Sequence, residues 1–181
     1  MAPPIDAFRD GMRRLAASVT VLTTRSPDGS RAGMTATAVC SVSGDPPTLL
    51  CCINRANATR AAFVEAGIFA VNVLAMGEDD IASRFATRMD AEERFARGAW
   101  TVAETGAPIL ESAAAAFDCR IVQIVESGSH SVFFGEVAAV RTRGVHVMPL
   151  LYAHGGYGGF HGGQRVLNDL FWTPDWQVDD I

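Results

Sequence analysis

Short apolar runs separated by turn-forming residues make up most of this chain. Runs of this kind, bounded by Gly, Pro, Asn or Asp, are typical of β-strands. They predict strands at residues 19–24, 31–42, 48–53, 68–74, 113–126 and 131–143. The run at 48–53 is apolar enough to be buried on both faces. The last two runs are joined only by Ser127-Gly128-Ser129-His130, so we expect them to form a hairpin.

Helical spacing is confined to a few short segments. Residues 5–16 predict an amphipathic helix, whose apolar face consists of Ile5, Phe8, Met12 and Leu15. Asn57 predicts the N-cap of a second helix that stops at Gly67. Acidic residues at 78–80 predict the start of a third helix. The mixed, charged segment 85–98 favours helix and loop on the surface.

Strands outnumber helices, and tight turns connect them, which favours a closed or nearly closed antiparallel β-barrel over a doubly wound sheet. A small barrel fills its interior with side chains, so a ligand would bind on its outside or at an edge. An uncovered apolar outer face would favour dimerisation. Residues 155–163 contain six glycines, and we expect no regular structure there.

Length and charge narrow the function further. A chain of 181 residues suggests a single domain, 1–181. Its net charge is −5 and it has no basic stripe, so we expect no nucleic-acid partner. No apolar run approaches the roughly 18 residues of a spanning helix, so we expect no membrane partner. The first residues lack the pattern of a signal peptide, so we expect a cytoplasmic protein.

The four cysteines have no metal-binding spacing. They are Cys40, Cys51, Cys52 and Cys119, all in apolar, strand-like surroundings and without a CxxC pair. We therefore expect buried, reduced thiols, with no disulfide and no metal site.

Candidate binding chemistry is concentrated between residues 33 and 59. Thr35, Thr37, Ser41 and Ser43 occupy alternate positions, and alternate residues of a strand share one face. Such a face offers small donors and acceptors beside accessible backbone, which suits a flat polar ring. The following loop, 54–59, leads into the predicted helix, where free backbone N–H groups and Arg55 or Arg60 could meet a phosphate.

Five segments, in order, resemble the flavin reductase family, whose fold is the FMN-binding split barrel. They are GMTATAVCSVSGDPPTLLCCINRANAT, GIFAVNVLA, SRFA, GSHSVFFGEV and PLLYAHGGYGGF. The resemblance covers about 8–160, which makes this the core of the domain and leaves an aromatic, acidic tail at 161–181. It implies a homodimer that reduces FMN or FAD with NADH or NADPH. Reduced flavin would then diffuse to a separate flavin-dependent monooxygenase component.

The resemblance also implies the site residues. The flavin contacts are expected at Met34, Thr35, Ala36, Thr37, Ala38, Ser41, Val42, Cys52, Asn54, Arg55, Asn57, Ala58, Thr59, Ser83, Arg84 and Phe85. Nicotinamide contacts are expected at His130, His154 and Tyr157. No catalytic side chain is expected, because hydride would pass directly between the two cofactors. The family often has Gly-Asp-His in the hairpin turn, where this chain has Ser129 in place of the acid.

Two other functions remain open at this point. One is an electron carrier that retains its flavin, and the other is a haem- or flavin-binding module without reductase activity. A tightly held yellow flavin would favour the electron carrier, and a Soret band would favour a haem protein. NADH oxidation that depends on added flavin would favour a reductase. No Rossmann glycine motif follows a strand, so nicotinamide would bind without that motif, and both NADH and NADPH remain open. FMN and FAD both remain open as the flavin.

Overall fold

A computed structural model describes residues 4–160. Its strands are β1 Ala17–Ser18, β2 Thr20–Arg25, β3 Arg31–Ala36, β4 Val39–Gly44, β5 Pro47–Asn54, β6 Ile68–Val73, β7 Trp100–Thr101, β8 Ile109–Leu110, β9 Ala115–Ser127, β10 His130–Thr142, β11 Leu151–Ala153 and β12 Gly156–Gly158. Its helices are α1 Ile5–Met12, α2 Arg60–Ala66, α3 Asp79–Ala86 and α4 Ala91–Phe95. None of the helices in this part of the chain is long and apolar enough to cross a membrane. The tail at 161–181 lies outside the described residues.

A seven-stranded antiparallel sheet in the order β3-β2-β6-β9-β10-β5-β4 dominates the fold. Its two edge strands, β3 and β4, follow each other directly in the chain. The segment predicted as one strand, 31–42, is therefore two strands. The chain pairs with β2 as far as Ala36 and with β5 from Val39 onward. Between them, the Cys52 amide donates to the Ala38 carbonyl at 3.0 Å. We call residues 37–38 the seam of the barrel.

The barrel interior is filled by alternate residues of these strands, as the period of two requires. Phe63 of α2 closes one end, with its ring 6.5 Å from the ring of Phe69 and 6.3 Å from that of Phe133. Gly135 lies against the same cluster, where an added Cβ would come within 2.5 Å of the Phe69 ring. The core therefore requires glycine at this position of β10.

Strand β5 is buried on one face only. Leu49, Cys51 and Ile53 point into the barrel, whereas Leu50 and Cys52 face outward and are half-buried. The expectation that 48–53 is buried on both faces is therefore wrong for the single chain. Within the described residues, nothing covers the outer face of this strand completely.

Helices α3 and α4 cover the outside of β2 and β3 through an aromatic cluster. Phe85 and Phe95 are buried, with ring centroids 5.1 Å apart, and both pack against Trp100. The segment 85–98 was expected on the surface, but its two phenylalanines are core residues. Burial of such rings stabilises the contact of this charged segment with the sheet by roughly 1.5–3 kcal/mol each.

Two loops differ from their sequence-based predictions. Helix α2 begins at Arg60, because the Asn57 side chain accepts from the Thr59 amide at 2.9 Å and closes a turn before the helix. Gly67 ends the helix with φ 66°, as expected.

The glycine-rich segment contains regular structure after all. His154 (φ 53°) and Gly155 (φ 84°) form a tight turn, whose positive φ angles suit a hairpin of β11 and β12.

The cysteines are all free, but only two are fully buried. Cys51 and Cys119 lie inside the barrel, where burial raises the pKa of both thiols, to about 12 for Cys119. Cys52 is half-buried on the outer face and Cys40 is exposed. The expectation of four buried thiols is therefore wrong for Cys40.

Candidate functional site

The seam exposes the polar part of the predicted flavin strand. Thr37 and Ala38 are exposed because neither lies within a paired strand, and Ser41 and Val42 are exposed on β4. Thr37 and Ser41 line a cavity of about 480 Å³ at an end of the barrel. The other lining residues include Cys40, Thr20 and Phe117.

The preceding residues of the flavin strand point elsewhere. The Thr35 hydroxyl donates to the Ala82 carbonyl of α3 at 2.6 Å, so it fastens the helix to β3. Met34 and Ala36 pack against the barrel core. These three side chains are engaged within the protein and are only partly exposed.

The loop after β5 is folded back on itself by its asparagines. The Asn54 side chain accepts from the Ala56 amide at 2.9 Å, and Asn57 accepts from both the amide and the hydroxyl of Thr59. Asx turns of this kind hold a short loop in one conformation. Ala58 is exposed at the outer side of the loop.

An ionic network, formed by Arg55, Arg60, Glu126 and Ser131, joins this loop to the hairpin. Arg60 donates through Nε to Ser131 Oγ at 2.7 Å and through a terminal nitrogen to Glu126 at 2.5 Å. Ser131 is fully buried and its hydroxyl donates to Glu126. The Ser131 hydrogen bond, together with the two arginines, holds the pKa of Glu126 below its ordinary value.

The hairpin turn lies directly beside this network. His130 is the first residue of β10 and pairs with Asn54 of β5, so it is not itself in the turn. Ser129 Oγ lies 2.9 Å from His130 Nδ1, so a hydroxyl occupies the position expected for an acid. A cavity of about 470 Å³ opens here, lined by Asn54, Arg55, Ala56, Arg60, Gly128 and Ser129.

The three predicted nicotinamide residues are not brought together. His154 and Tyr157 line a third cavity, of about 360 Å³, which shares Ala16 with the cavity at Thr37. His130 lies instead at the far end of β5. The five residue steps from Leu49, beside the Thr37 cavity, to Asn54 span about 17 Å of strand.

Helix α3 contributes little accessible chemistry. Ser83 is exposed, but Arg84 donates to the Glu93 carbonyl at 3.1 Å and contacts the Met89 sulfur. The Phe85 ring is buried in the aromatic cluster. Among residues 4–160 there is also no group of three side chains suited to a metal ion.

Glu126 and Ser131 were not among the site residues expected from the sequence. The predicted hairpin already placed them opposite each other, as their pairing across β9 and β10 now shows. The detectable signal was therefore a carboxylate opposite a hydroxyl on paired strands, near Arg55 of the loop and Arg60 of α2.

The barrel, its seam and the hairpin define a protein of the split-barrel flavin-reductase type. A flavin reductase-like domain matches residues 12–161. A putative flavin reductase from Haemophilus somnus covers 87% of this chain and 100% of its own, with a TM-score of 0.84 and 34% identity. BorF, the flavin reductase component of a bacterial two-component tryptophan halogenase, gives a TM-score of 0.80 and 31% identity over 88% of this chain and 100% of its own.

Sequence similarity is higher still to a named enzyme. The FMN reductase (NADH) RutF of Pseudomonas syringae pv. syringae is 50% identical over 135 residues, which cover 75% of each protein. The chain belongs to the flavin reductase family.

Proposed function

We propose that this protein reduces free FMN with NADH and releases the reduced flavin to a separate monooxygenase component. The observation that carries the proposal is the 50% identity to an enzyme named FMN reductase (NADH), over three quarters of both proteins. Structural similarity to reductase components of two-component systems supports the release of the product. Reduced nicotinamide is a cytoplasmic reductant, which supports the cytoplasmic location expected from the sequence.

The chemistry of the candidate site fits a flavin. The seam offers a hydroxyl and accessible backbone at Thr37 and Ala38, beside the outward-facing Cys52, for the edge of a polar ring. Arg55 is the obvious cation for the phosphate, since 56% of its side chain is exposed. Asn57, Ala58 and Thr59 belong to the same loop. We assign the flavin to this surface, from residues 34–42 to 52–59, with Ser83 and Arg84 of α3 as more distant contributors.

Nicotinamide is assigned to the side of the flavin nearest His130. His130 pairs with Asn54, which places it next to the loop assigned to the flavin phosphate. Its imidazole can donate a hydrogen bond to a carboxamide or a phosphate. The residues of the protein would bind and orient the two molecules, and the flavin would supply the hydride acceptor. His154 and Tyr157 would contribute to the nicotinamide nucleotide from their separate cavity.

We further propose that the protein is a homodimer formed through the outer face of β5 and the β9–β10 hairpin. Two rows of cross-strand neighbours occupy this face: Cys40, Leu50, Phe134 and Gln123, and Cys52, Val132 and Val125. They are mostly apolar and only partly buried in one chain. A second copy would bury them and would lie beside the flavin surface at Cys52.

The test is NADH oxidation measured with and without added FMN. We expect oxidation to require free FMN, to saturate with it and to continue for many turnovers per protein. Purified protein should bind flavin reversibly. A flavin that stays bound through gel filtration, with no response to added FMN, would instead identify an electron carrier and reject the proposal.

A further inference from the structure

The ionic network holds its two arginines very differently. Arg60 is fixed at both ends, by Ser131 Oγ at 2.7 Å and by Glu126 at 2.5 Å, and 27% of its side chain is exposed. Arg55 is held loosely, with Nε 3.4 Å from Glu126 and a terminal nitrogen 3.4 Å from the Gly128 carbonyl. Arg60 is therefore structural, whereas Arg55 can exchange its partners.

Arg55 also joins two functional segments. Its backbone amide donates to the Ser129 carbonyl at 2.9 Å, and its side chain reaches the Gly128 carbonyl of the same turn. That turn leads directly into His130. The Arg55 guanidinium, which we assign to the flavin phosphate, therefore also supports the turn that precedes His130. His130 is the residue that we assign to nicotinamide.

From this geometry we infer that Glu126 is a positioning residue with opposite effects on the two substrates: by restraining Arg55 against the hairpin turn it weakens FMN binding and strengthens NADH binding. The inference rests on the proposed function, in which Arg55 meets the flavin phosphate and His130 meets nicotinamide.

The first effect is a competition between anions. The Glu126 carboxylate and a flavin phosphate attract the same guanidinium, and they repel each other. For unit charges about 6 Å apart in water, this repulsion changes a dissociation constant by about threefold. Salt screens interactions between exposed charges, so the effect should decline as ionic strength rises.

The second effect is mechanical. Glu126 accepts from Ser131 and holds Arg55 near the Gly128 carbonyl, so it links the base of the hairpin to its turn. Without the carboxylate, Arg55 loses the ion pair that holds it beside the turn. The orientation of His130 is then less restricted, and NADH binds with a larger loss of conformational freedom.

The experiment uses Glu126→Gln, which removes the charge but keeps an oxygen that can accept from Ser131. FMN affinity is measured by equilibrium titration without NADH, and the KM for NADH is measured at saturating FMN. We expect the FMN dissociation constant to fall about threefold at low ionic strength and to return to the wild-type value at high salt. The KM for NADH should rise severalfold, with a smaller change in kcat.

The distinguishing result is tighter FMN binding together with a higher KM for NADH, because general loosening of the fold would weaken the binding of both substrates. Glu65→Gln, at an exposed position of α2 outside the network, is the matched control and should leave both constants unchanged. Glu126→Asp keeps the charge and should keep wild-type FMN affinity. The inference would be overturned if Glu126→Gln left both constants unchanged or weakened the binding of both substrates. It would also be overturned if Glu126→Asp bound FMN more tightly than wild type.

Failure of the proposed function gives a different result. If Arg55→Ala leaves FMN affinity unchanged, Arg55 does not bind the flavin phosphate, and that part of the proposed function is wrong. If Arg55→Ala weakens FMN binding while Glu126→Gln changes neither constant, the flavin assignment stands and only the role of Glu126 is rejected.

Discussion

At the scale of single residues, the hydroxyl and the cation of the flavin surface can be tested separately. Thr37→Val removes a hydroxyl at the seam, and Arg55→Ala removes the exposed guanidinium of the loop. A hydrogen bond that involves a charged group contributes about 1.5–3 kcal/mol, so Arg55→Ala should weaken FMN binding roughly tenfold or more. We expect a smaller loss for Thr37→Val, because a neutral hydrogen bond contributes about 1 kcal/mol.

Fluorescence titration with FMN measures both variants. Arg141→Ala is a suitable control, because Arg141 lies at the opposite end of β10 from His130. Wild-type FMN affinity in both Thr37→Val and Arg55→Ala would show that the flavin does not bind to this surface.

His130, at the start of β10, should affect the binding of NADH rather than that of FMN. His130→Ala is expected to raise the KM for NADH severalfold, because the imidazole supplies a donor beside the assigned nicotinamide position. Flavin affinity should stay within about twofold, because we assign His130 to nicotinamide and not to the flavin. Steady-state kinetics and FMN titration of the same preparation separate the two effects. A collapse of flavin affinity with an unchanged KM for NADH would reverse the assignment.

At the scale of elements, the contact between the hairpin and α2 should depend on pH. Ser131 and the arginines lower the pKa of Glu126 in the folded protein. A lowered carboxyl pKa stabilises the fold above the unfolded value, about 4.3 for Glu, and this contribution is lost as pH falls through the folded value. Wild type should therefore be more stable than Glu126→Gln near neutral pH, and the difference should disappear in acid.

Urea unfolding of both proteins at several pH values measures that difference. The comparison cancels the titration of the other carboxylates, which the two proteins share. A stability difference that persisted unchanged well below the ordinary Glu pKa of about 4.3 would show that the carboxylate charge is not its source.

The elements also show which parts of the fold a sequence can predict. Local patterns were sufficient for the β9–β10 hairpin, for α3 and for the Gly67 stop, because each depends on neighbouring residues. The division of 31–42 into two strands depends on pairing with β2 and β5, which no local pattern contains. Phe85 and Phe95 are buried for a similar reason, because the sheet surface that receives them is distant in sequence.

The same limit applies to the candidate site. Thr37, Arg55 and Asn57 could be proposed from the sequence because their types and spacing are visible in one short stretch. Thr35 was expected to offer its hydroxyl, but α3 takes that hydrogen bond. His130 and His154 were expected to share one ligand, the nicotinamide, but the fold places them beside different cavities.

At the scale of the whole molecule, the outer face of the hairpin should determine the assembly. We expect light scattering to give twice the chain mass of 19.3 kDa. Val132→Lys places a charge in the middle of the half-buried apolar face and should yield monomers, because a buried unpaired charge is costly. Flavin affinity should fall as well, since Cys52 is the direct neighbour of Val132.

Val145→Lys is the matched control, because Val145 is 86% exposed in a loop and should leave the mass unchanged. A wild-type mass equal to one chain, or a Val132→Lys protein that remains dimeric, would contradict the proposed interface.

The seam has a consequence for how this fold can vary. One continuous stretch of chain supplies both edges of the sheet, and only residues 37–38 separate them. Because side chains alternate between the faces of a strand, one residue inserted there would turn β4 over. Val39 would leave the interior and Cys40 would enter it. Length changes at this joint are thus confined to even steps, whereas a substitution of the exposed Thr37 or Ala38 side chain leaves the orientation of β4 unchanged.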